Sequence, residues 1–247
     1  MPAGHSHIPR FYLEAPLAPD SKIALPPNAG HHASRVLRLR EGDAVIVFNG
    51  GGGEYAARIL RLSRDGVTVQ VGDFVPAERE SPLGVTLVQG IAAGDRMDLT
   101  IQKAVELGVA AIQPVLAERS VVRLKGERGD SRREHWQRVA AAACEQCGRN
   151  RVPAVAGAVT VAAYEIAHDA LKLLLTPAAR LNLRAVDISA GKPLVLAAGP
   201  EAGFSEPEEA LLLAGGFVPV HLGPRVLRTE TAGPAALAAL NALYGDG

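Results

Sequence analysis

Over residues 1–73 apolar positions recur in short runs, at 11–13, 22–25, 44–48, 55–62 and 67–71, several of them alternating with polar residues. That pattern predicts β-strands separated by turns. Asn49, Gly50, Gly51, Gly52 and Gly53 divide two of the runs. Consecutive glycines accept positive φ freely, so this stretch predicts a hairpin. It is not a phosphate loop, because no Lys-Ser/Thr pair and no helical pattern follow it. Between the second and third runs, residues 28–39 carry an N-cap candidate, Asn28, and helical spacing through Ala33, Val36 and Leu37. Five short strands with one helix predict a compact β-barrel.

The stretch 74–82 is polar and contains proline, and reads as a linker. Beyond it the period changes. Residues 85–91 and 110–116 are continuous apolar strands, flanking a helix over 96–107 that ends at Gly108. Ser131 caps a predicted helix reaching about residue 149, with Trp136, Val139, Ala140 and Ala143 on one face. Further buried-looking strands fall at 171–175, 193–198 and 218–222, and helices at 206–214 and 232–244. Strands alternating with helices predict an α/β domain over 83–247, its parallel sheet covered on both faces.

Hydrophobic residues make up 48% of the chain and aromatics only 4%, so the core must be built from Leu, Val, Ile and Ala. No apolar run is long enough to span a bilayer, and residues 1–11 lack the apolar core of a secretion signal. Two cysteines, Cys144 and Cys147, cannot form a disulfide framework, which leaves the cytoplasm as the expected location. Formal net charge is zero, yet residues 119–151 hold nine basic residues, Arg123 and Lys125 included, against four acids. From residue 199 onward two arginines face six acids. A neutral chain can thus carry a basic surface suited to nucleic acid.

Three strand ends carry the candidate chemistry. One is Leu175, Thr176, Pro177; the second runs Gly199, Pro200, Glu201, Ala202, Gly203, Phe204, Ser205; the third runs from Leu222 and Gly223 through Arg225, Val226, Leu227, Arg228, Thr229, Glu230 and Thr231 to Ala232. Ligands of parallel sheets sit outside the carboxyl ends of the strands, so neighbouring strands would bring these loops to one edge. Gly199 and Gly203 permit close backbone approach, and arginines at a helix start favour an anionic group. Ser205 with Glu208 is a capping-box pattern. Residue types alone leave two readings open, a ligand pocket or two capped helices with surface arginines.

These loops resemble the signature of the RsmE family, SPOUT-superfamily methyltransferases that form 3-methyluridine in bacterial small-subunit ribosomal RNA. Ala202 stands where the family pattern has a glycine, and Val226 where it has isoleucine. Lys103, Glu106, Leu107 and Gly108 are similar to the family's helix end, and Glu145, Gln146 and Arg149 to a second motif. Pro9, Arg10, Phe11, Tyr12 and the stretch from His32 to Arg38 are similar to its N-terminal module. The resemblance implies an α/β fold: a PUA-like barrel that grips RNA, then a SPOUT domain with a C-terminal trefoil knot, in a homodimer. It implies S-adenosylmethionine as cofactor and 16S ribosomal RNA or the small ribosomal subunit as partner, with neither metal nor membrane. Carried onto this chain, the pocket residues are Leu175, Thr176, Gly199, Pro200, Glu201, Gly203, Leu222, Gly223, Leu227, Arg228, Thr229, Thr231 and Ala232. Arg10, His32, Arg35 and Arg38 are the expected RNA contacts. If Ala202 needs positive φ, alanine there costs about 1 kcal/mol or more.

Methylation at uracil N3 requires an exposed base and removal of the N3 proton. A guanidinium beside the uracil oxygens would stabilise the resulting charge. Arg228 is the expected provider, with Arg10 as partner, and Glu230 either accepts the proton or orients an arginine. Cys144 and Cys147 share a redox spacing, but in the middle of an alanine-rich helix. Trp136 reads as core, Glu106 and Glu145 as structural, and His5 and His7 as unsuited to metal. Other readings are a SPOUT enzyme acting on ribose 2′-oxygen or another base, and a non-catalytic RNA-binding assembly factor. A nucleotide-utilising enzyme is disfavoured because neither a Rossmann turn nor a P-loop follows any strand.

Overall fold

A computed structural model describes residues 8–64, 66–120, 122, 126–166, 168–188 and 192–246. His5, His7, Arg123 and Lys125 lie outside the described residues. The chain forms two compact units. One ends at Glu80 and also takes in Cys144–Val152; the other comprises Ser81–Ala143 and the chain from Pro153 onward.

In the first unit the strands are β1 (Arg10–Tyr12), β2 (Lys22–Ala24), β3 (Ala44–Phe48), β4 (Glu54–Ser63) and β5 (Gly66–Val75). They form one sheet in the order β1-β3-β4-β5-β2, parallel between β1 and β3 and antiparallel elsewhere. Alternation buries Val45 and Val47, Ala57 and Ile59, and Val67, Val69 and Val71 against Phe11 and Leu13. β5 runs four residues past its apolar alternation, to Val75, because Glu54 and Tyr55 of β4 pair with Val75 and Phe74. The β3–β4 hairpin turns through the glycine run, with Gly50, Gly52 and Gly53 at positive φ. The helix expected over 28–39 is shorter and of two kinds: α1 (Pro27–His31), then a π-helical turn over His32–Val36 closed by Leu37 N–H donating to His32 O. Five residues are too few for apolar spacing to tell one helical pitch from the other.

The second unit holds β6 (Val85–Gly90), α2 (Arg96–Glu106), β7 (Ala111–Leu116) and the short strands β8 (Ala154–Val155) and β9 (Val159–Thr160). Then come β10 (Leu171–Leu175), β11 (Leu181–Asn182), β12 (Leu194–Ala198), α4 (Glu206–Ala214), β13 (Val218–His221) and α5 (Thr229–Tyr244). α3 (Glu127–Cys147) lies between β7 and β8 and ends inside the stretch that belongs to the first unit. All pairings are parallel, in the order β11-β13-β10-β12-β6-β7-β8, with β9 also on β7. β12 is buried at all five positions, as a strand covered on both faces must be. Val88, Leu174 and Val195 pack with Leu212 and Phe217 of the α4 side, while Leu87 on the opposite face meets Gly233 of α5.

Two helix starts differ from expectation. α3 opens at Glu127, just after Gly126 at positive φ, four residues before Ser131; its first two turns present no apolar face for periodicity to register. α5 opens at Thr229 rather than residue 232, because the carbonyl of Arg228 accepts the N–H groups of both Thr231 and Ala232. Thr229 and Glu230 therefore belong to a helical turn rather than to the loop.

Candidate functional site

The pairing of β10 with both β12 and β13 brings the three strand ends together: Leu175 lies beside Ala198 on one side and Val220 on the other. Their loops enclose a cavity of about 650 Å³, within the range of small-ligand sites. Twelve of the thirteen expected pocket residues line it, from Leu175 and Thr176 through Gly199 and Gly203 to Leu227, Thr229 and Ala232. Thr231 does not; as an exposed residue in the first turn of α5 it lies off the wall. Of the two expected catalytic residues in this unit, Arg228 and Glu230, both line the cavity.

Missing side chains shape the loop floor. A Cβ on Gly90, the last residue of β6, would stand 2.5 Å from the nitrogen of Pro200 and 2.8 Å from the carbonyl carbon of Gly199. A Cβ on Gly199 would stand 3.0 Å from the Cα of Gly203. Gly203 has φ of 71° and closes the turn by donating its N–H to Pro200 O at 2.9 Å. Ala202 has no positive φ, so its departure from glycine carries no backbone strain. Ser205 caps α4 in a full capping box with Glu208, whose second oxygen accepts the N–H of Glu118.

Glu201 Oε1 accepts the N–H of Ala93 at 2.9 Å and the guanidinium of Arg96 at 3.0 Å. Partial burial works against ionising this carboxyl, but those donors outweigh it and hold its pKa below the usual value. Arg96 also lies 3.9 Å from Glu230 Oε2, an oxygen that is buried and accepts no hydrogen bond among the described residues. The arginine beside Glu230 is thus Arg96, which the sequence reading left out. Arg225 and Arg228 are exposed at the cavity wall, and no ion pair or hydrogen bond links either guanidinium to a described residue. His221, also missed, lines the wall and accepts the N–H of Gly223 on Nδ1. Below the wall, Gln89 donates to Thr229 Oγ1 at 3.1 Å, and Thr229 Oγ1 donates to Gly199 O at 2.8 Å.

In the first unit Arg10 is not available to a ligand. It is 7% exposed, paired with Glu54 at 2.6 Å, and donates to Asn150 Oδ1 and Arg149 O. The expectation that Arg10 contacts RNA or a uracil oxygen is corrected: its charge is used inside the unit. Burial raises the pKa of Glu54, but the Arg10 and Asn150 hydrogen bonds and the charges of Arg10 and Arg79 bring it below the usual value. Glu145, half-buried and with its pKa pushed up by desolvation, accepts the N–H of Tyr12. His32, Arg35 and Arg38 are exposed, but not on one helical face. The π-helical turn ends at Val36, and Arg38 lies past it at φ 54°.

Trp136 is 2% exposed and belongs to the core. Cys144 is wholly buried, and that burial pushes its pKa to about 12. A neutral, enclosed thiol has no redox chemistry to offer. Among the described residues no group of three His, Cys, Asp or Glu side chains could hold a metal. No helix there is long and apolar enough to cross a membrane.

Comparison with known proteins covers both units. Residues 79–241 match the model of an RNA methyltransferase domain, and residues 25–72 that of an RNA methyltransferase PUA domain. The ribosomal RNA small subunit methyltransferase E of Buchnera aphidicola is 31% identical over 97% of this chain and 95% of its own length. The protein of the same name from Synechocystis is 38% identical over 86% of this chain and 70% of its own length. Two solved structures superpose closely. A putative methyltransferase of Legionella pneumophila with bound S-adenosylmethionine has a TM-score of 0.92 and 38% identity, covering 97% of this chain and 99% of that one. The ribosomal RNA small subunit methyltransferase E of Neisseria gonorrhoeae, bound to the same cofactor, has a TM-score of 0.90 and 41% identity with the same coverage.

Proposed function

The chain belongs to the ribosomal RNA small subunit methyltransferase E family, and from that premise we propose that it transfers a methyl group from S-adenosylmethionine to N3 of a uridine in small-subunit ribosomal RNA. The observation that supports this most directly is the convergence of three strand-end loops on one cavity of about 650 Å³. The residues present fit the cofactor. Gly90 and Gly199 leave out Cβ atoms whose space the loop itself occupies, and Leu175, Leu222 and Leu227 give the cavity apolar walls. Main-chain groups of the glycine turn and of residues 222–227 can read a nucleoside edge without a charged side chain. When bound there, S-adenosylmethionine supplies an electrophilic methyl group.

The chain's own residues do the rest. Arg228, exposed and unpaired among the described residues, stabilises the negative charge that spreads to the uracil oxygens as N3 loses its proton. Glu230 offers a buried oxygen with no donor of its own, and receives that proton. Arg96, tied to Glu201 and 3.9 Å from Glu230, holds the acceptor in place. Enclosing the nucleophile beside the methyl carbon supplies much of the acceleration. His32, Arg35 and Arg38 of the PUA-like unit contact the RNA backbone.

The proposal extends to a trefoil knot in the C-terminal loops, a homodimer and a cytoplasmic location. The position of β12 between β10 and β6 is in keeping with a threaded chain. The decisive experiment incubates purified protein with radiolabelled S-adenosylmethionine and small ribosomal subunits, then maps the labelled nucleoside by mass spectrometry. Label at N3 of one uridine is expected; label on ribose, or none at all, refutes the assignment.

A further inference from the structure

Gln89 is wholly buried one residue from the end of β6, and it does not line the cavity. Both hydrogens of its amide are in use, one to Gly90 O at 3.0 Å and one to Thr229 Oγ1 at 3.1 Å. Thr229 passes its own hydrogen to Gly199 O at 2.8 Å. A hydroxyl has a single hydrogen, so with that one committed its oxygen can only accept, and Gln89 is the donor. The direction runs from amide to hydroxyl to carbonyl.

Gln89 Oε1, in contrast, has no partner among the described residues and faces Gly233, where an added Cβ would approach it to 3.3 Å. An orphaned buried acceptor costs stability. Methionine would fill the same space without that cost. What the amide adds is a hold on Gly199.

The geometry points to Gln89 as a positioning residue for cofactor binding: through Thr229 it fixes the Gly199 carbonyl, and with it the turn to Gly203, without touching the ligand. This rests on the reading of the cavity as the S-adenosylmethionine site. Gln89→Met keeps the length of the side chain and removes both donors. In calorimetric titrations its Kd for S-adenosylmethionine should rise about five- to tenfold, the worth of one such hydrogen bond. At saturating cofactor kcat should stay within about twofold of wild type, with KM for small ribosomal subunits unchanged. Thr229→Ser, which keeps the hydroxyl, should bind more tightly than Thr229→Val, which should lose at least as much affinity as Gln89→Met. The Gln89→Met, Thr229→Val double variant should bind no more weakly than the weaker single, since both break one chain.

Wild-type affinity in Gln89→Met overturns the inference, as do effects that multiply in the double variant. If circular dichroism shows Gln89→Met unfolded at the assay temperature, the two Thr229 variants decide: equal affinities overturn it. Failure of the wild-type protein to bind in the same titration would instead sink the reading of the cavity, a different result from binding that Gln89→Met leaves untouched.

Discussion

Replacing Gly90 by alanine tests whether the loop floor sets the site. The added methyl would sit 2.5 Å from the nitrogen of Pro200, where ordinary contact begins at 3.4 Å. The obstacle is the Pro200 ring and the backbone it is fused to, so no side chain can rotate out of the way. Either β6 or the Gly199–Gly203 turn must move by about 0.9 Å, and overpacking of this kind costs about 1–3 kcal/mol. If the turn yields, the loss appears in ligand binding, as a Kd for S-adenosylmethionine raised about five- to 150-fold. Gly157→Ala is the control, because nothing lies within 4 Å of a Cβ there and its φ is not positive. Calorimetric titration of both variants, with thermal melts to confirm folding, makes the comparison. Binding by a folded Gly90→Ala within twofold of the control would refute the argument.

Three further outcomes are expected. Arg228→Ala should lower kcat about 100-fold or more while leaving the Kd for S-adenosylmethionine within about twofold; equal losses of both would remove its role as charge stabiliser. Glu54→Gln leaves the Arg10 guanidinium buried without a counter-charge and should cost about 3 kcal/mol in denaturant unfolding. Because the folded pKa of Glu54 is lowered, its ionic contribution is complete above the unfolded value of 4.5 and fades as pH falls through the folded one. The gap between wild type and variant should therefore narrow in acid, and a constant gap would contradict the pairing. Cys144, with a pKa of about 12, should resist a thiol reagent at pH 8, where roughly one molecule in ten thousand carries its thiolate. Half-buried Cys147 should label first, and equal labelling of both in native protein would contradict the burial.

Much of the site was legible because its residues follow strand ends in chain order. Apolar runs marked β10, β12 and β13, and residue types singled out the glycine and arginine loops after them, but only the family resemblance favoured a ligand pocket over capped helices there. The floor was not legible. Gln89 and Gly90 read as the tail of an apolar strand, and the partner that gives Gln89 its meaning is 140 residues away. Arg10 reads as a surface cation because its counter-charge, Glu54, and its acceptor, Asn150, stand 44 and 140 residues distant. Arg96 looks like the polar start of any helix until Glu201 and Glu230 are brought beside it. Long-range polar pairs of this kind leave no periodic trace, whereas apolar burial does.

The membership of Cys144–Val152 in the first unit also sets an order of events during synthesis. Arg10 and Glu54 leave the ribosome early, but Asn150 emerges only about 96 residues after Glu54, a delay of roughly 5 to 19 s at ordinary elongation rates. Until then the nascent barrel holds an ion pair without its third member, and Tyr12 N–H lacks the carboxylate of Glu145. The N-terminal module is thus the first to be started, but it is complete only once residue 152 has been made. An expression fragment stopped at residue 80 would lack both partners, leaving Arg10 without Asn150 and Tyr12 N–H without Glu145.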